Sequence, residues 1–155
     1  MSYAAVSLFV FFLDQLTKYW ALEQLTRIET IPIIQDVFHL TFRQNTGAAF
    51  SILRDNLQLL IVMTSVVIFF LGIFLIVATV KKEPPLMLLG LSMILGGAVG
   101  NLVDRVRLGY VVDFFDFRLI NFAVFNVGDS FIVIGALLVG LYVVILEIRE
   151  SKTPR

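Results

Sequence analysis

The chain has 155 residues, of which 59% are hydrophobic and 15% are charged, and its formal net charge is zero. Soluble domains average about 45–50% apolar and about 25% charged residues, so this composition predicts a single polytopic membrane domain over residues 1–155, with no indication of a nucleic-acid partner. The absence of cysteine excludes disulfides, thiolate metal sites and a cysteine nucleophile, and the single histidine, His39, argues against a zinc or di-iron site.

Four segments are long and apolar enough to be membrane helices, which need roughly 20 mostly apolar residues. We predict transmembrane helices over about residues 3–22, 57–80, 86–105 and 127–147. The first segment also has the length of a secretory signal peptide. However, it lacks a basic N-terminal region and no small-x-small cleavage site follows it, so we interpret it as a retained helix.

The first long connection, about residues 23–56, contains a strand pattern. Phe38, Leu40 and Phe42 alternate with more polar residues, and this period of two is typical of a half-buried strand. Asn45-Thr46-Gly47 then predicts a turn. We therefore expect a small extracytoplasmic β-sheet lying on the membrane surface.

The second long connection, about residues 106–126, mixes many aromatic residues with Asp113, Asp116 and Arg118. Aromatic rings are favoured at the level of the lipid headgroups. We therefore predict that this connection lies in the membrane interface.

Four spans place both long connections on one face of the membrane, together with the polar helix ends. The polar residues that this topology gathers are Asp14, Lys18, Asn101, Asp104, Arg105, Asn126 and Asp129. The opposite face has the termini and the Lys81–Pro85 turn. A raw count of basic residues does not decide the orientation, but their density in this turn and in the C-terminal tail favours cytoplasmic termini.

Two charged pairs admit two interpretations each. Asp14 and Lys18 share a helix face, so they form either a structural ion pair, with Lys18 reaching toward the interface, or a pair that orders a site or contacts substrate. Asp104 and Arg105 are either an interfacial charge pair or a support for the same site. The small residues from Gly96 to Gly100 predict a close contact with a neighbouring helix.

Asp113 and Asp129 flank the second connection. Asn126 and Asp129 suit a helix N-terminus, which does not exclude catalysis by Asp129. Asp113 lies in an apolar run, so it is either a solvated loop acid or a carboxyl group whose pKa is raised by desolvation. Two neighbouring carboxyl groups that share a proton activate water in aspartic proteases.

A Ser/Lys dyad is a further option for nucleophilic catalysis. It would require Ser51 or Ser130 to lie beside Lys18, and neither serine has a supporting sequence context.

Five sequence blocks, in this order along nearly the whole chain, resemble the bacterial lipoprotein signal peptidases (type II or prolipoprotein signal peptidases). The blocks are Asp14-Gln15-Leu16-Thr17-Lys18, Asn45-Thr46-Gly47-Ala48-Ala49-Phe50, Gly96 through Arg105, Gly109-Tyr110-Val111-Val112-Asp113-Phe114 and Phe125-Asn126-Val127-Gly128-Asp129. Two departures occur near the last block: Gly128 stands where the family often has alanine, and the family's frequent proline before the Phe-Asn pair is missing. Any single block is weak evidence, but the ordered set is specific.

The resemblance implies a membrane aspartyl endopeptidase whose catalytic residues are Asp113 and Asp129. Its substrate would be a prolipoprotein with a lipidated cysteine, cleaved just before that cysteine at the extracytoplasmic face of the bacterial plasma (inner) membrane. The resemblance implies that Asn45, Gly47, Asn101, Arg105 and Asn126 position substrate and brace the catalytic pair. From their place in the sequence, we add Asp14, Lys18 and Asp104 as candidate supporting residues. The resemblance implies no metal or organic cofactor. We expect membrane lipids as partners and a monomer.

The alternative from another class is a small ion or proton carrier that uses buried carboxylates as relay sites. Such a carrier needs polar residues through the depth of the membrane. The second helix offers only Thr64, Ser65 and Thr79, and the acidic residues crowd one face, which favours surface chemistry. A membrane assembly factor without catalysis remains a third interpretation.

Overall fold

Four long helices account for most of the structure, a computed structural model that describes residues 2–47 and 56–151, apart from the side chain of Glu150. The helices are α1 (Tyr3–Ile28), α2 (Leu57–Val80), α3 (Pro85–Leu108) and α4 (Val127–Ser151). The residues used above that lie outside the described ranges are Ala48, Ala49, Phe50, Ser51 and the tail 152–155.

The helix ends follow local chemistry. Asn56 caps α2, because its Oδ1 accepts from the backbone N–H of Leu59 at 3.3 Å. Pro85 opens α3 with its restricted φ, and Gly109 closes it in the left-handed conformation, with a φ of 83° and an N–H that donates to Arg105 O. α1, α3 and α4 extend beyond the predicted limits, because polar residues such as Arg27 and Arg107 continue a helix that apolar content alone would end earlier.

Within the described residues, three helices have the length and apolar composition of a membrane span: α2, α3 and most of α4, Val127–Arg149. These three helices support the prediction of a mainly helical membrane protein. α1 is as long as the others, but its mean hydropathy is lower because Asp14 and Lys18 interrupt its apolar segment.

α3 is the central helix and contacts α1, α2 and α4. Small residues allow the close approach that the sequence predicted. A Cβ added to Gly96 would lie 2.5 Å from Ser7 O of α1, and one added to Gly90 would lie 2.6 Å from Gly135 O of α4. Backbones therefore meet where side chains are absent.

Gly97 tests this packing, because a Cβ there would collide with the carbonyl of Gly128 and lie 3.0 Å from Ile132 Cγ1. We expect Gly97→Ala to destabilise the protein by about 1–3 kcal/mol through overpacking. Gly72→Ala is the matched control, since no atom lies within 4 Å of its added Cβ. That control should stabilise α2 by up to about 1 kcal/mol. Thermal unfolding in detergent measures both, and equal transitions for the two variants would contradict the prediction.

A three-stranded antiparallel sheet packs against the C-terminal part of α1. Its order is β1 (Thr30–Ile34), β2 (Phe38–Asn45) and β3 (Val111–Asp116), with Arg43 opposite Asp113 and Asn45 opposite Val111. A hydrophobic cluster joins Ala21 and Leu25 of α1 to Val112 and Phe114 of β3. The sheet is thereby fixed to the helices next to the point where α4 begins.

The predicted strand is present as β2, but its burial pattern is the reverse of a simple apolar-inward strand. His39 and Thr41 are 3% and 6% exposed, whereas Phe38, Leu40 and Phe42 are only partly buried. The buried face is polar because Thr41 donates to Asp116 at 2.8 Å and hydrogen-bonds to Thr30. β1 and β3 were not predicted as strands; the supposed aromatic connection contains the end of α3, β3 and a short 3-10 helix, Arg118–Ile120.

Candidate active site

Asp113 lies in the middle of β3 and is only 2% exposed. Both of its carboxyl oxygens accept hydrogen bonds from amide groups. Asn45 Nδ2 donates to Oδ2 at 2.9 Å, and Asn126 Nδ2 donates to Oδ1 at 2.6 Å. Asp113 is therefore held by β2 on one side and by the residue before α4 on the other.

Asp129 lies in the first turn of α4 and is partly buried. Asn101 Nδ2 of α3 donates to its Oδ1 at 2.7 Å, and the backbone N–H of Asn126 donates to its Oδ2 at 3.3 Å. In return, the Asp129 N–H donates to Asn126 Oδ1 at 2.8 Å. This reciprocal arrangement is a capping box, in which each residue accepts a hydrogen bond from the backbone N–H of the other at the start of α4.

Asn126 joins the two acids, because it hydrogen-bonds to both Asp113 and Asp129 and is completely buried. The structure therefore brings together, at one site, the two carboxyl groups that the sequence analysis selected. We refer to Asp113 and Asp129 as the carboxylate pair.

The protonation of Asp113 is unusual. Burial is the largest effect, the nearby charge of Asp129 adds to it, and together they raise the pKa of Asp113 to about 7. The hydrogen bonds from Asn45 and Asn126 and the charge of Lys18 act in the opposite direction without cancelling the shift. At neutral pH, Asp113 is therefore a carboxyl group that retains a proton much of the time.

Behind the pair lies a buried ionic cluster from α1 and α3. Lys18 Nζ contacts Asp14 Oδ2 at 2.8 Å, Asp104 Oδ2 at 3.3 Å and Asn101 Oδ1 at 2.7 Å. Asp14 Oδ1 also accepts from the Gly128 N–H at 2.7 Å, which ties α1 to the start of α4. Lys18 is directed into this cluster, so the interpretation in which it reaches toward the interface is wrong.

Gln15 is a member of this cluster that the sequence analysis did not select. Its Nε2 donates to Asp104 Oδ1 at 3.1 Å and to Gly100 O at 3.2 Å. The signal was present, since Gln15 is a polar residue within an apolar segment and stands between the two charged residues of the first motif.

Arg105 connects the site to the turn after β2. Its Nη2 donates to Gly47 O at 2.9 Å, and its Nη1 donates to Asn101 O at 3.4 Å. The Gly47 N–H donates to Asn45 Oδ1 at 3.0 Å, which is the predicted turn at Asn45-Thr46-Gly47. This contact orients Asn45 so that its Nδ2 faces Asp113.

A cavity of about 600 Å³ opens beside the pair. Its polar end is formed by Asn45, Asn101, Arg105, Asp129 and Ser130. Its remaining wall is apolar and consists of Val111, residues 122–125 and residues 132–134. The cavity therefore offers a polar reaction site next to a surface suited to hydrocarbon.

The geometry gives no support to a Ser/Lys dyad with Ser130. Ser130 Oγ donates to Asn126 O at 2.9 Å, and the three donors of Lys18 match its three contacts with Asp14, Asp104 and Asn101. Ser51 lies outside the described residues. Over residues 2–47 and 56–151, no three His, Cys, Asp or Glu side chains are grouped so as to hold a metal ion.

The fold and site define a mainly helical membrane protein in which two carboxyl groups meet beside a partly apolar cavity. The family model described as Signal peptidase (SPase) II matches residues 6–145, and the chain belongs to this family. It is therefore a peptidase, and the comparisons lend no support to the ion-carrier alternative.

The relatives and solved structures agree with this membership. The chain is 54% identical over 133 residues to a lipoprotein signal peptidase of Caldanaerobacter subterraneus subsp. tengcongensis, covering 85% of this chain and 88% of that protein. It is 43% identical over 150 residues to that of Clostridioides difficile, covering 97% and 99%. Its fold is similar to a bacterial membrane enzyme solved by the in meso method at 2.3 Å resolution, with a TM-score of 0.81, 28% identity and coverage of 99% and 92%.

Proposed function

We propose that the protein is an aspartic endopeptidase of the bacterial plasma (inner) membrane. It removes the signal peptide from prolipoproteins by cleaving just before a cysteine that carries diacylglycerol. Membership of the signal peptidase II family supports the substrate class. The observation that carries the aspartic mechanism is that Asn126 donates hydrogen bonds to both carboxyl groups of the pair, from its side-chain amide to Asp113 and from its backbone N–H to Asp129.

The two acids have different roles in the reaction because their surroundings differ. Asp129, at the positive end of α4, is ionised and accepts a proton from water, whose oxygen attacks the scissile carbonyl carbon. Asp113, whose pKa is raised to about 7, donates its proton to the carbonyl oxygen. As the C–N bond breaks, Asp129 gives its proton to the leaving nitrogen and Asp113 recovers a proton from the hydroxyl group of the intermediate.

The supporting residues act by position. Asn45 and Asn126 hold the Asp113 carboxyl group, and Asn101 holds Asp129. Arg105 fixes the turn at Gly47 and lines the cavity, where its guanidinium is available to a substrate carbonyl.

The cavity suits a substrate that arrives from within the bilayer. Val133 and Ile134 of α4 line it and are also 58% and 45% exposed on the outer surface of the helix. An apolar signal helix and lipid chains that enter sideways would meet this wall, while the scissile bond reaches the polar end. Phe122 and Phe125, which also line the cavity, suit the membrane interface, where aromatic rings are favoured.

α1 is the fourth span in this proposal. Its charged residues Asp14 and Lys18 are buried against the other helices, while its outer face carries Phe9, Phe12 and Leu16, which are 57–66% exposed. A helix with that distribution is apolar toward lipid although its mean hydropathy is reduced. Four spans in a single monomeric domain place both termini on one face of the membrane. The density of basic residues in the Lys81–Pro85 turn and the C-terminal tail favours the cytoplasm for that face, which makes the sheet and the carboxylate pair extracytoplasmic.

The proposed function is tested by incubating the purified full chain, in detergent, with a diacylglyceryl-modified prolipoprotein. We expect a shortened product on a gel and, by mass spectrometry, a new N-terminus at the lipidated cysteine. The same prolipoprotein without its lipid is the control substrate and should remain uncut. Absence of product, or cleavage at another bond, would overturn the proposal.

The pH dependence of cleavage follows from the pKa of Asp113. Because this pKa is raised to about 7, the proton needed for catalysis is present below that pH and is lost above it. We expect kcat/KM to fall about tenfold per pH unit on the alkaline side, with an apparent pKa that belongs to the pair. Initial rates from about pH 5 to about pH 9 measure this, and returning samples to neutral pH excludes denaturation. A rate that stays constant to the end of this range would contradict the assignment.

A further inference from the structure

The buried ammonium group of Lys18 contacts Asn101, which hydrogen-bonds to Asp129, and Asp104, which hydrogen-bonds to the residue before Asp113. Lys18 Nζ lies 2.7 Å from Asn101 Oδ1, 2.8 Å from Asp14 Oδ2 and 3.3 Å from Asp104 Oδ2, and the residue is 2% exposed. An ammonium group has three donors and no acceptor. Each of its donors therefore has an acceptor, and none of those three acceptors belongs to the carboxylate pair itself.

The first connection leads to Asp129. Because Lys18 only donates, the Asn101 atom that faces it must be the carbonyl oxygen of the side-chain amide. The amino group of Asn101 is then directed at Asp129 Oδ1, at 2.7 Å. Asn126 Nδ2 also donates to Asn101 Oδ1, at 3.2 Å, so a rotated amide would set donor against donor at two contacts. Lys18 makes the shorter of these contacts, at 2.7 Å, and with Asn126 it fixes the hydrogen bond that Asp129 receives.

The second connection leads to Asp113. Asp104 Oδ2, which Lys18 contacts, also accepts from the backbone N–H of Val112 at 3.1 Å. Val112 directly precedes Asp113 in β3. The same ammonium group therefore holds the strand at the position next to the second acid.

We propose that Lys18 is a positioning residue for the carboxylate pair: through Asn101 and Asp104 it sets the hydrogen bonding of Asp129 and the place of Asp113. This inference rests on the proposed function. The charged groups around the pair, apart from Lys18, include Asp14 of α1, Asp104 and Arg105 of α3, and Arg43, which stands opposite Asp113 in β2. Lys18 contacts both carboxylates of this set, so it neutralises charges that would otherwise raise the negative potential at the pair.

Two full-chain variants distinguish the positioning role of Lys18 from its effects on charge and on folding. Lys18→Met removes the donor and leaves Asp14 and Asp104 without their shared cation. Lys18→Met with Asp14→Asn also removes the Asp14 charge and keeps the net charge of the wild type. We expect the double variant to regain part of the thermal stability that the single variant loses. We expect kcat to remain about 100-fold low in both, with KM little changed, because the amide of Asn101 has lost its shortest contact and is less firmly held.

A second readout does not depend on cleavage. The titration of the pair is followed by the infrared carboxyl bands, with Asp113→Asn to assign them. We expect the midpoint to lie at higher pH in both variants than in the wild type, since Asp129 loses a fixed donor in each. Recovery of the wild-type midpoint or of wild-type kcat by the double variant would show that only charge mattered and would overturn the proposal. If the wild type cleaves nothing, the proposed function fails, while the infrared titration still decides the role of Lys18.

Discussion

Asp113→Asn and Asp129→Asn are each expected to lower kcat for cleavage of a lipidated prolipoprotein by about 10²–10⁴-fold, with the protein still folded. Asparagine has the shape of aspartate but neither accepts nor releases a proton at neutral pH. KM should change little, because the reaction loses proton transfer while the cavity keeps its lining. Initial rates with each purified variant, together with its thermal transition, measure the effect.

Asp116→Asn is the matched control for these variants. Asp116 lies in the same strand as Asp113, but its carboxylate accepts from Thr41 and Arg118 rather than from the amides of Asn45 and Asn126. It should therefore retain wild-type kcat. Full activity in either variant of the carboxylate pair would refute the assignment of that acid.

The effects of the two substitutions on kcat should not multiply when they are combined. Because the two acids act together in one reaction, the variant with both asparagines is expected to be about as inactive as the less active of the two single variants. If the combined loss equalled the product of the two single losses, the acids would be acting independently, and a shared-proton mechanism would be excluded.

Local patterns of the sequence predict the helices and β2 well. Four apolar segments of spanning length give four helices, and the alternation from Phe38 to Arg43 gives a strand. Both signals depend on the period with which neighbouring residues repeat, so they need no knowledge of the rest of the fold. The site residues Asp113 and Asp129 also emerge from the sequence, since acids beside apolar segments are few.

The remaining strands were not predictable from the same patterns. β1 is short, contains Pro32 and has a register shift, so its strand signal is weak. β3 is a run of apolar and acidic residues with no alternation, which resembles an interfacial loop until β2 is available to pair with it. The buried polar face of β2 likewise depends on Thr30 and Asp116, which are distant in sequence.

The hydrogen-bond network behind the pair is a property of the assembled helices. Gln15 and Lys18 belong to α1 and Asp104 belongs to α3, and the contacts of Asp104 with these two residues span 89 and 86 positions. Helix spacing predicts that Asp14 and Lys18 meet, because they are one turn apart. It does not predict that Asp104 and Asn101 complete the coordination of the same ammonium group.

Asp14→Ala is expected to destabilise the protein by about 3 kcal/mol, because it removes the closest counter-ion of the buried Lys18 ammonium group and leaves a buried N–H without a partner. Asp14 is completely buried, and it pairs with Lys18 at 2.8 Å and accepts from Gly128 N–H at 2.7 Å. The second contact ties α1 to the start of α4, so its loss should also lower activity, but less than loss of either acid of the carboxylate pair. Thermal unfolding and specific activity in detergent measure the two effects.

Two further variants separate the contributions at this position. Asp14→Asn keeps an acceptor for Gly128 N–H while it removes the charge opposite Lys18, so its stability should lie between those of the wild type and Asp14→Ala. Glu23→Ala, an exposed acid on the same helix, is the control and should change stability by less than about 0.5 kcal/mol. An Asp14→Ala protein that is as stable as the wild type yet as inactive as Asp113→Asn would place Asp14 in the chemical step rather than in the structure that supports it.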